Sequence, residues 1–235
     1  MDKKGSSYRL VKISGDSCFH ETFSEGKKLT SFVTEDLIYE KEYAIRESSS
    51  GGRLIVTPDK NHIKLMLNLF AGENKNHSYS IVYFLLNGRK DAQGKYQASK
   101  ALSWVGLENF CVKYSDYFET DARHNFGIRD IETKDTVIYD NHNVLYVFGN
   151  LEEKIKILEG NGYKKAGKIV IPKPHTHFFN DDNDDIENDL LRNNEWIFTP
   201  VKIEDEEDDE YGWDREVKRK TLIDLIFDYM ETETI

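Results

Sequence analysis

Two histidines one residue apart, followed by a run of carboxylates and amides, are the strongest chemical signal in this sequence. His175 and His177 belong to the stretch PKPHTHFFNDDNDD, residues 172–185. Side chains alternate between faces in an extended segment, so both imidazoles would face the same way and could bind one divalent ion. Zinc takes three or four protein ligands, and neighbouring carboxylates would have to complete the site. The candidate metal ligands are therefore His175, His177, Asp181 and Asp182.

The stretch fits none of the stricter metal motifs. A calcium loop of the EF-hand type that began at Asp181 would need Gly and Glu where Ile186 and Arg192 stand, and the zincin pattern His-Glu-x-x-His is absent. A structural interpretation fits better, in which Pro172 and Pro174 stiffen an extended segment and NDDNDD begins a helix. We therefore expect no cofactor, with a divalent metal as the alternative.

Other catalytic chemistry has less support. His124 and His142 bracket a predicted hairpin, and Asp121, Asp130 and Asp140 are near them in sequence. A histidine with a carboxylate is the minimum for acid-base catalysis, but Asn and Asp beside His are more typical of turns. The chain has no Gly-x-Ser-x-Gly motif and no phosphate-binding glycine loop. The sequence therefore favours a protein that is not an enzyme.

The negative charge is concentrated in one segment. The whole chain carries a net charge of −11, whereas residues 178–214 contain 15 acidic and 2 basic residues, a net charge of −13, which leaves +2 for the remainder. Phosphate backbones would be repelled by such a segment, while a basic protein surface would be attracted to it. We expect a basic protein partner and no nucleic acid.

The cysteine spacing and the length of the apolar runs indicate the cellular compartment of the protein. The two cysteines, Cys18 and Cys111, have no paired spacing and cannot form a disulfide framework. The amino terminus has no apolar signal core, and no run approaches the roughly 18 apolar residues of a spanning helix. The sequence thus predicts a cytoplasmic protein without a membrane segment.

Short apolar or alternating runs between turn signals predict mainly strands in residues 1–90. The runs are YRLVKIS, KLTSFVT, DLIYEKEYAI, RLIVT, HIKLMLNLF and SYSIVYFLL. HIKLMLNLF alternates as a half-buried strand would, with Ile63, Leu65, Leu67 and Leu69 on one face. SYSIVYFLL is apolar on both faces and predicts a central strand.

After residue 90 the sequence predicts helices as well as strands. We predict a short helix over 97–107, a strand over 109–118, a hairpin with the turn ETKD, and a strand at NVLYVFG. Asn150 and Glu153 resemble a capping box that starts the helix LEEKIKILEGNG, and GKIVIP would then close a β-α-β unit. DDIENDLLRNN predicts a helix, EWIFTPVKI a strand, and residues 213–234 an amphipathic C-terminal helix.

These elements predict an α+β fold. It would have mainly antiparallel sheet, an embedded β-α-β unit and a packed C-terminal amphipathic helix. A β-rich region at 1–90 would be followed by an α+β region at 91–235 that carries the acidic segment 178–214. The two regions could equally form one continuous domain.

The hypothesis favoured by charge and composition is an interaction module whose acidic C-terminal surface binds a basic partner, as an inhibitor, an immunity protein or a nucleic-acid mimic does. Aromatic residues near the carboxylates are of the types that anchor interfaces. The candidate partner-binding residues are Asp184, Asp185, Trp196, Glu206, Asp208, Asp209, Tyr211 and Trp213. The alternative is a metal-dependent enzyme with a His-x-His site at His175 and His177.

Overall fold

The structure is a computed structural model. It describes residues 39–47, 52–58, 60–71, 76–86, 91–169, 182–200 and Ile223 with their side chains, and the backbone alone at 10–12, 19–24, 27–32, 35–36, 175–177 and 181.

Fifteen strands and four helices are found in the described part of the chain. In chain order they are β1 (Leu10–Lys12), β2 (Phe19–Ser24), β3 (Lys27–Phe32), β4 (Glu35–Asp36), β5 (Glu42–Arg46), β6 (Arg53–Thr57), α1 (His62–Phe70), β7 (Ser78–Leu85), β8 (Gly94–Ala98), β9 (Leu102–Ser103), α2 (Trp104–Thr120), β10 (His124–Asp130), β11 (Thr136–Tyr139), β12 (Leu145–Phe148), α3 (Leu151–Gly160), β13 (Lys164–Lys165), β14 (His175–His177), α4 (Asp184–Arg192) and β15 (Trp196–Pro200).

A ten-stranded sheet forms the centre of the molecule. Its strand order is β13-β5-β6-β12-β11-β10-β7-β8-β15, with β9 beside β7. Every pair is antiparallel except β13 with β5, which is parallel. Two smaller sheets have the orders β14-β1-β4 and β2-β3. The sheet and the helices together confirm the α+β class.

Helices α1 to α4 cover one face of the large sheet. The core on that face is rich in aromatic residues and includes Tyr79, Tyr83, Phe110, Phe118 and Phe126. A second core on the opposite face includes Ile55, Val82, Phe84, Ile138 and Tyr146. Ile223 is helical, 6% exposed and part of this second core. Both faces of the central strands are therefore buried.

The predicted strand HIKLMLNLF is wrong, because these residues form helix α1. Its buried side chains include Ile63, Met66, Leu69 and Phe70, a spacing of three and four residues that only a helix brings to one face. The apolar residues of this run are compatible both with the two-residue period of a strand and with the 3.6-residue period of a helix. Met66 and Phe70 are buried, as the helical period requires.

The predicted helix over 97–107 and strand over 109–118 are also wrong. Strand β8 extends to Ala98, and helix α2 begins at Trp104. The Ser103 hydroxyl caps this helix by accepting a hydrogen bond from the Gly106 amide at 3.3 Å. The residues that α2 buries recur every three or four positions: Trp104, Leu107, Phe110, Cys111, Tyr114, Tyr117 and Phe118.

Several local predictions are confirmed. Strands β10 and β11 form the hairpin, and the Asp130 amide donates to the Asp135 carbonyl across its turn. NVLYVFG contains β12, EWIFTPVKI contains β15, and DDIENDLLRNN contains α4. Asn150 caps α3 by accepting from the Glu153 amide, and its own amide group donates to the Glu153 carboxylate.

The strand that closes the β-α-β unit and the C-terminal helix both remain predictions. The strand proposed to close the β-α-β unit is not observed at 167–169, where the chain has no regular structure, and 170–172 lie outside the described residues. The helix over 213–234 also lies outside them, apart from Ile223.

Candidate functional site

Arg123 fixes the acidic helix α4 to the body of the molecule. It lies between α2 and β10 and is 1% exposed. Its Nε donates to Asp121 Oδ1 at 2.8 Å, and its Nη1 donates to Asp184 Oδ1 at 2.9 Å and to Glu187 Oε2 at 3.2 Å. One guanidinium thus joins the end of α2 to the first turn of α4.

Two tyrosines extend this buried network. Tyr117 Oη donates to Glu187 Oε2 at 3.0 Å and lies 2.7 Å from Tyr83 Oη. Burial raises the pKa of Glu187, while the Arg123 charge and the Tyr117 hydrogen bond oppose that rise. All members except the partly exposed Asp184 are buried, so the network positions α4.

The carboxylates in the first turn of α4 and in the turn before it divide into two sets. Asp184 and Glu187 face Arg123, and the side chain of Asp184 is only 20% exposed. Asp182 and Asp185 are exposed, and Ile186 beside them is 36% exposed. The acidic first turn complements the helix dipole as expected, but Asn183 does not cap the helix with its side chain and instead donates to Asp121.

A cavity of about 410 Å³ lies between α2, the β8–β9 connection and the chain that joins α4 to β15. Phe110, Tyr114 and Trp196 contribute its aromatic lining, with Ile81, Ala98 and Leu102. The indole of Trp196 donates to the Leu190 carbonyl at 2.9 Å, which holds the ring between α4 and the sheet. Trp196 is therefore placed by α4 as much as by its own strand.

Two ion pairs flank this cavity. Lys113 Nζ lies 2.6 Å from Asp189 Oδ2, and Lys100 Nζ lies 2.8 Å from Glu195 Oε2. The Lys113 ammonium and the hydroxyl of Tyr114, 2.8 Å away, lower the pKa of Asp189. The pKa of Glu195 is likewise lowered, chiefly by its hydrogen bond with Lys100. Both carboxylates are thus held in the charged form.

Most of the remaining predicted site residues have side chains outside the described part of the chain. His175 and His177 are in β14, which pairs antiparallel with β1. Asp181 begins a short 3₁₀ turn that leads into α4. Glu206, Asp208, Asp209, Tyr211 and Trp213 lie outside the described residues. The metal site and the acidic run therefore stay predictions.

The structure brings together one cluster that the sequence analysis missed. His77 Nδ1 lies 2.7 Å from Asp130 Oδ2, and Glu132 is close enough that one ligand atom of each residue falls within 4.8 Å of the others. Asp130 Oδ1 also accepts from the amides of Glu132 and Thr133, as the first residue of the hairpin turn. The cluster could hold a cation, yet its bonds equally account for the turn. His77 and Asp130 are 53 residues apart in sequence, and the pairing of β7 with β10 brings them together.

The two histidines at the hairpin, His124 and His142, make contacts typical of a core residue and of a turn residue, respectively. His124 is 0% exposed, and its ring stacks on Tyr117 with 4.8 Å between centroids. His142 donates its amide to Asp140 Oδ1 at 2.9 Å, within a tight turn. This is the turn chemistry that the sequence favoured for His142, whereas His124 belongs to the core.

No protein-family model, curated protein or solved structure matches this chain. None of the helices within the described part of the chain combines the length and apolar character that a bilayer span requires. A functional proposal therefore depends on the contacts and charges of the chain itself.

Proposed function

We propose that this protein is an interaction module that binds a basic protein partner through its acidic C-terminal surface, in the manner of an inhibitor, an immunity protein or a nucleic-acid mimic. The observation that supports it is the anchoring of α4 by Arg123, which leaves Asp185 and Ile186 exposed on a fixed helix and Asp182 exposed in the turn before it. A fixed acidic surface loses little conformational entropy on binding.

The charge of the acidic segment indicates what kind of partner surface it would bind. Residues 178–214 carry a net charge of −13, which would accelerate encounter with a positive surface and repel phosphate backbones. The exposed apolar side chains of Ile186, Ile197 and Phe198 belong to the same part of the chain. Such residues among charges supply the desolvated contacts from which interfaces gain affinity.

The proposed contact residues have different parts in this scheme. Asp185 is exposed and would contact the partner directly, whereas Asp184 is bound to Arg123 and would contribute mainly to the field. Trp196 would act through the cavity that it lines. The other contacts in the proposal are Glu206, Asp208, Asp209, Tyr211 and Trp213.

The proposal includes a cytoplasmic location and the finer fold elements. The thiol of Cys111 is free and buried, and burial raises its pKa, as expected for an inert core thiol. Strand β12, helix α3 and the parallel strand β13 support an embedded β-α-β unit. The helical, buried Ile223 supports a packed C-terminal helix.

Affinity capture from the native host at low salt tests the proposal. We expect a basic protein whose purified form binds directly, with an affinity that falls as the salt concentration rises. The double variant Asp182→Asn, Asp185→Asn should weaken binding mainly through the association rate. The control, Glu108→Gln with Asp116→Asn on α2, removes two exposed charges outside the acidic segment and should bind normally. Equal loss in both variants, or no basic partner, would contradict the proposal.

The alternative function, a metal-dependent enzyme with His175, His177, Asp181 and Asp182 as ligands, makes a separate prediction. A module that needs no cofactor should contain well below one equivalent of zinc, manganese or iron when purified without a histidine tag or chelator. Elemental analysis checks this against the variant His175→Ala, His177→Ala. Near-stoichiometric metal that disappears in the variant would establish the alternative and displace the interaction proposal.

A further inference from the structure

The cavity beside Trp196 is lined in a way that specifies its occupant. We propose that it receives an aromatic side chain of a partner peptide, together with the adjoining peptide N–H groups. The partner as the source of that peptide rests on the proposed function above. The cavity and its chemistry do not.

The cavity has room for an aromatic ring and part of the adjoining peptide, and its lining is rich in aromatic residues. The volume of about 410 Å³ is at the lower end of the range for ligand pockets. Phe110 contacts Trp196 edge-on, with 6.3 Å between centroids, and contacts Tyr114 in the same manner at 5.0 Å. Rings arranged at such angles present both faces and edges, and an incoming aromatic ring packs against either.

The charges around the opening favour a neutral occupant. Both lysines that line the cavity, Lys100 and Lys113, are already paired with carboxylates. A charged ligand would have to displace one member of a pair, whereas a neutral ligand leaves both pairs intact. The ammonium of Lys113 also lies 4.8 Å from the centre of the Tyr114 ring, which further occupies it.

Two asparagines that line the cavity specify hydrogen-bond donors on the ligand. The carboxamide nitrogen of Asn194 donates to the Leu190 carbonyl at 2.7 Å, and that of Asn193 donates to Asp189. Their partners accept only, so these two atoms are the nitrogens and the opposite atoms are oxygens. Those oxygens can accept from a peptide amide or an indole N–H.

Gly106 offers a way to fill the cavity without disturbing the fold. It lines the cavity from α2, and a Cβ built on it would meet Ser103 Oγ at 3.5 Å and Leu102 Cβ at 3.6 Å, which are ordinary contacts. Leu is a better helix former than Gly, so Gly106→Leu should fold. Val105→Leu is the matched control, because Val105 is 62% exposed on the same helix and does not line the cavity.

The test is an NMR titration of the ¹⁵N-labelled full chain with N-acetyl-L-tryptophanamide. The indole N–H of Trp196, assigned with Trp196→Phe, is the reporter, and that of Trp104, outside the lining, is the internal control. We expect a saturable shift at Trp196 that Gly106→Leu abolishes and Val105→Leu preserves. N-acetyl-L-tryptophan and L-tryptophanamide share the ring and one amide but carry a charge, and should bind about two- to fivefold more weakly, as expected for loss of a surface ion pair.

Each remaining outcome overturns the inference. No saturable shift at Trp196, or equal binding by the Gly106→Leu variant, would exclude the cavity as an aromatic site. Tighter binding of either charged compound would exclude a neutral occupant. The result is separable from that of the proposed function, because partner capture lost in the Asp182, Asp185 variant depends on charge, whereas this titration uses a neutral probe and no partner.

Discussion

At the scale of single residues, the position of α4 depends on one buried cation. Arg123 is held by Asp121 within its own segment and holds Asp184 and Glu187 across 61 and 64 residues of sequence. A buried cation among three carboxylates adds little net stability, but removing it leaves buried negative charges without compensation. Arg123 therefore stabilises the position of α4 and of the exposed carboxylates at its start.

Replacing Arg123 with Met should destabilise the protein by about 3–5 kcal/mol, because Asp121 and Glu187 would remain buried without their cation. Urea unfolding followed by circular dichroism measures the change. Lys113→Met, which breaks the more exposed pair with Asp189, should cost clearly less. Equal losses in the two variants would show that Arg123 does not have this role.

His77 gives a prediction about pH. Its hydrogen bond to Asp130 raises the pKa of His77 above 6.5. Its contribution to stability is thus complete below the unfolded-state pKa and is lost as the pH rises through the folded-state pKa. The free energy of unfolding of the wild type relative to His77→Gln should decrease over that interval, and an NMR titration should report the raised pKa. A pKa at or below 6.5 would contradict the assignment.

At the scale of elements, the connection between β12 and α3 requires a glycine. Gly149 has φ +107°, and a Cβ placed there would lie 2.9 Å from the Asp135 Cα and closer still to the Asp135 carboxylate. Asp135 Oδ1 also accepts the Asn150 amide at 3.0 Å. The hairpin turn and the start of α3 are thus in direct contact at this point.

Gly149→Ala should destabilise the protein by about 2–4 kcal/mol, through backbone strain and overlap with Asp135. Gly160→Ala in the last turn of α3 is the matched control, because its Cβ would meet nothing within 4 Å. That control should be neutral or stabilise by up to about 1 kcal/mol. Thermal unfolding of both variants measures the difference, and similar melting temperatures would refute the explanation.

At the scale of the whole molecule, the large sheet interleaves early and late parts of the chain. Strand β7 pairs with β10 on one side and with β8 on the other, and β6 pairs with β12. A boundary at residue 90 would pass between paired strands. Of the two arrangements that the sequence allowed, we propose the continuous domain, because these pairings join strands on both sides of residue 90.

A fragment of residues 91–235 should therefore not fold alone. Without β7, β8 and β10 each lose one of their two neighbouring strands, the sheet is divided between them, and the core on the helix-covered face is exposed. We expect no cooperative transition when this fragment is heated, whereas the full chain should give coincident circular dichroism and fluorescence transitions over its main unfolding step. Cooperative unfolding of the fragment would restore the two-domain arrangement.

The sequence by itself determined the features that depend on neighbours in the chain. The hairpin turn after Asp130, the Asn150 cap of α3 and the acidic first turn of α4 each follow from residues within a few positions of one another. Turn and cap chemistry is local, so sequence suffices for it.

Only the tertiary structure decided the helical state of α1 and α2, the Arg123 network and the cavity at Trp196. An apolar run such as HIKLMLNLF satisfies two periods, and the packing of Met66 and Phe70 into the core selects one of them. Arg123 meets Glu187, and His77 meets Asp130, because strands and helices distant in sequence pack side by side. The free energy of such contacts comes from close packing of the whole core, which no local pattern contains.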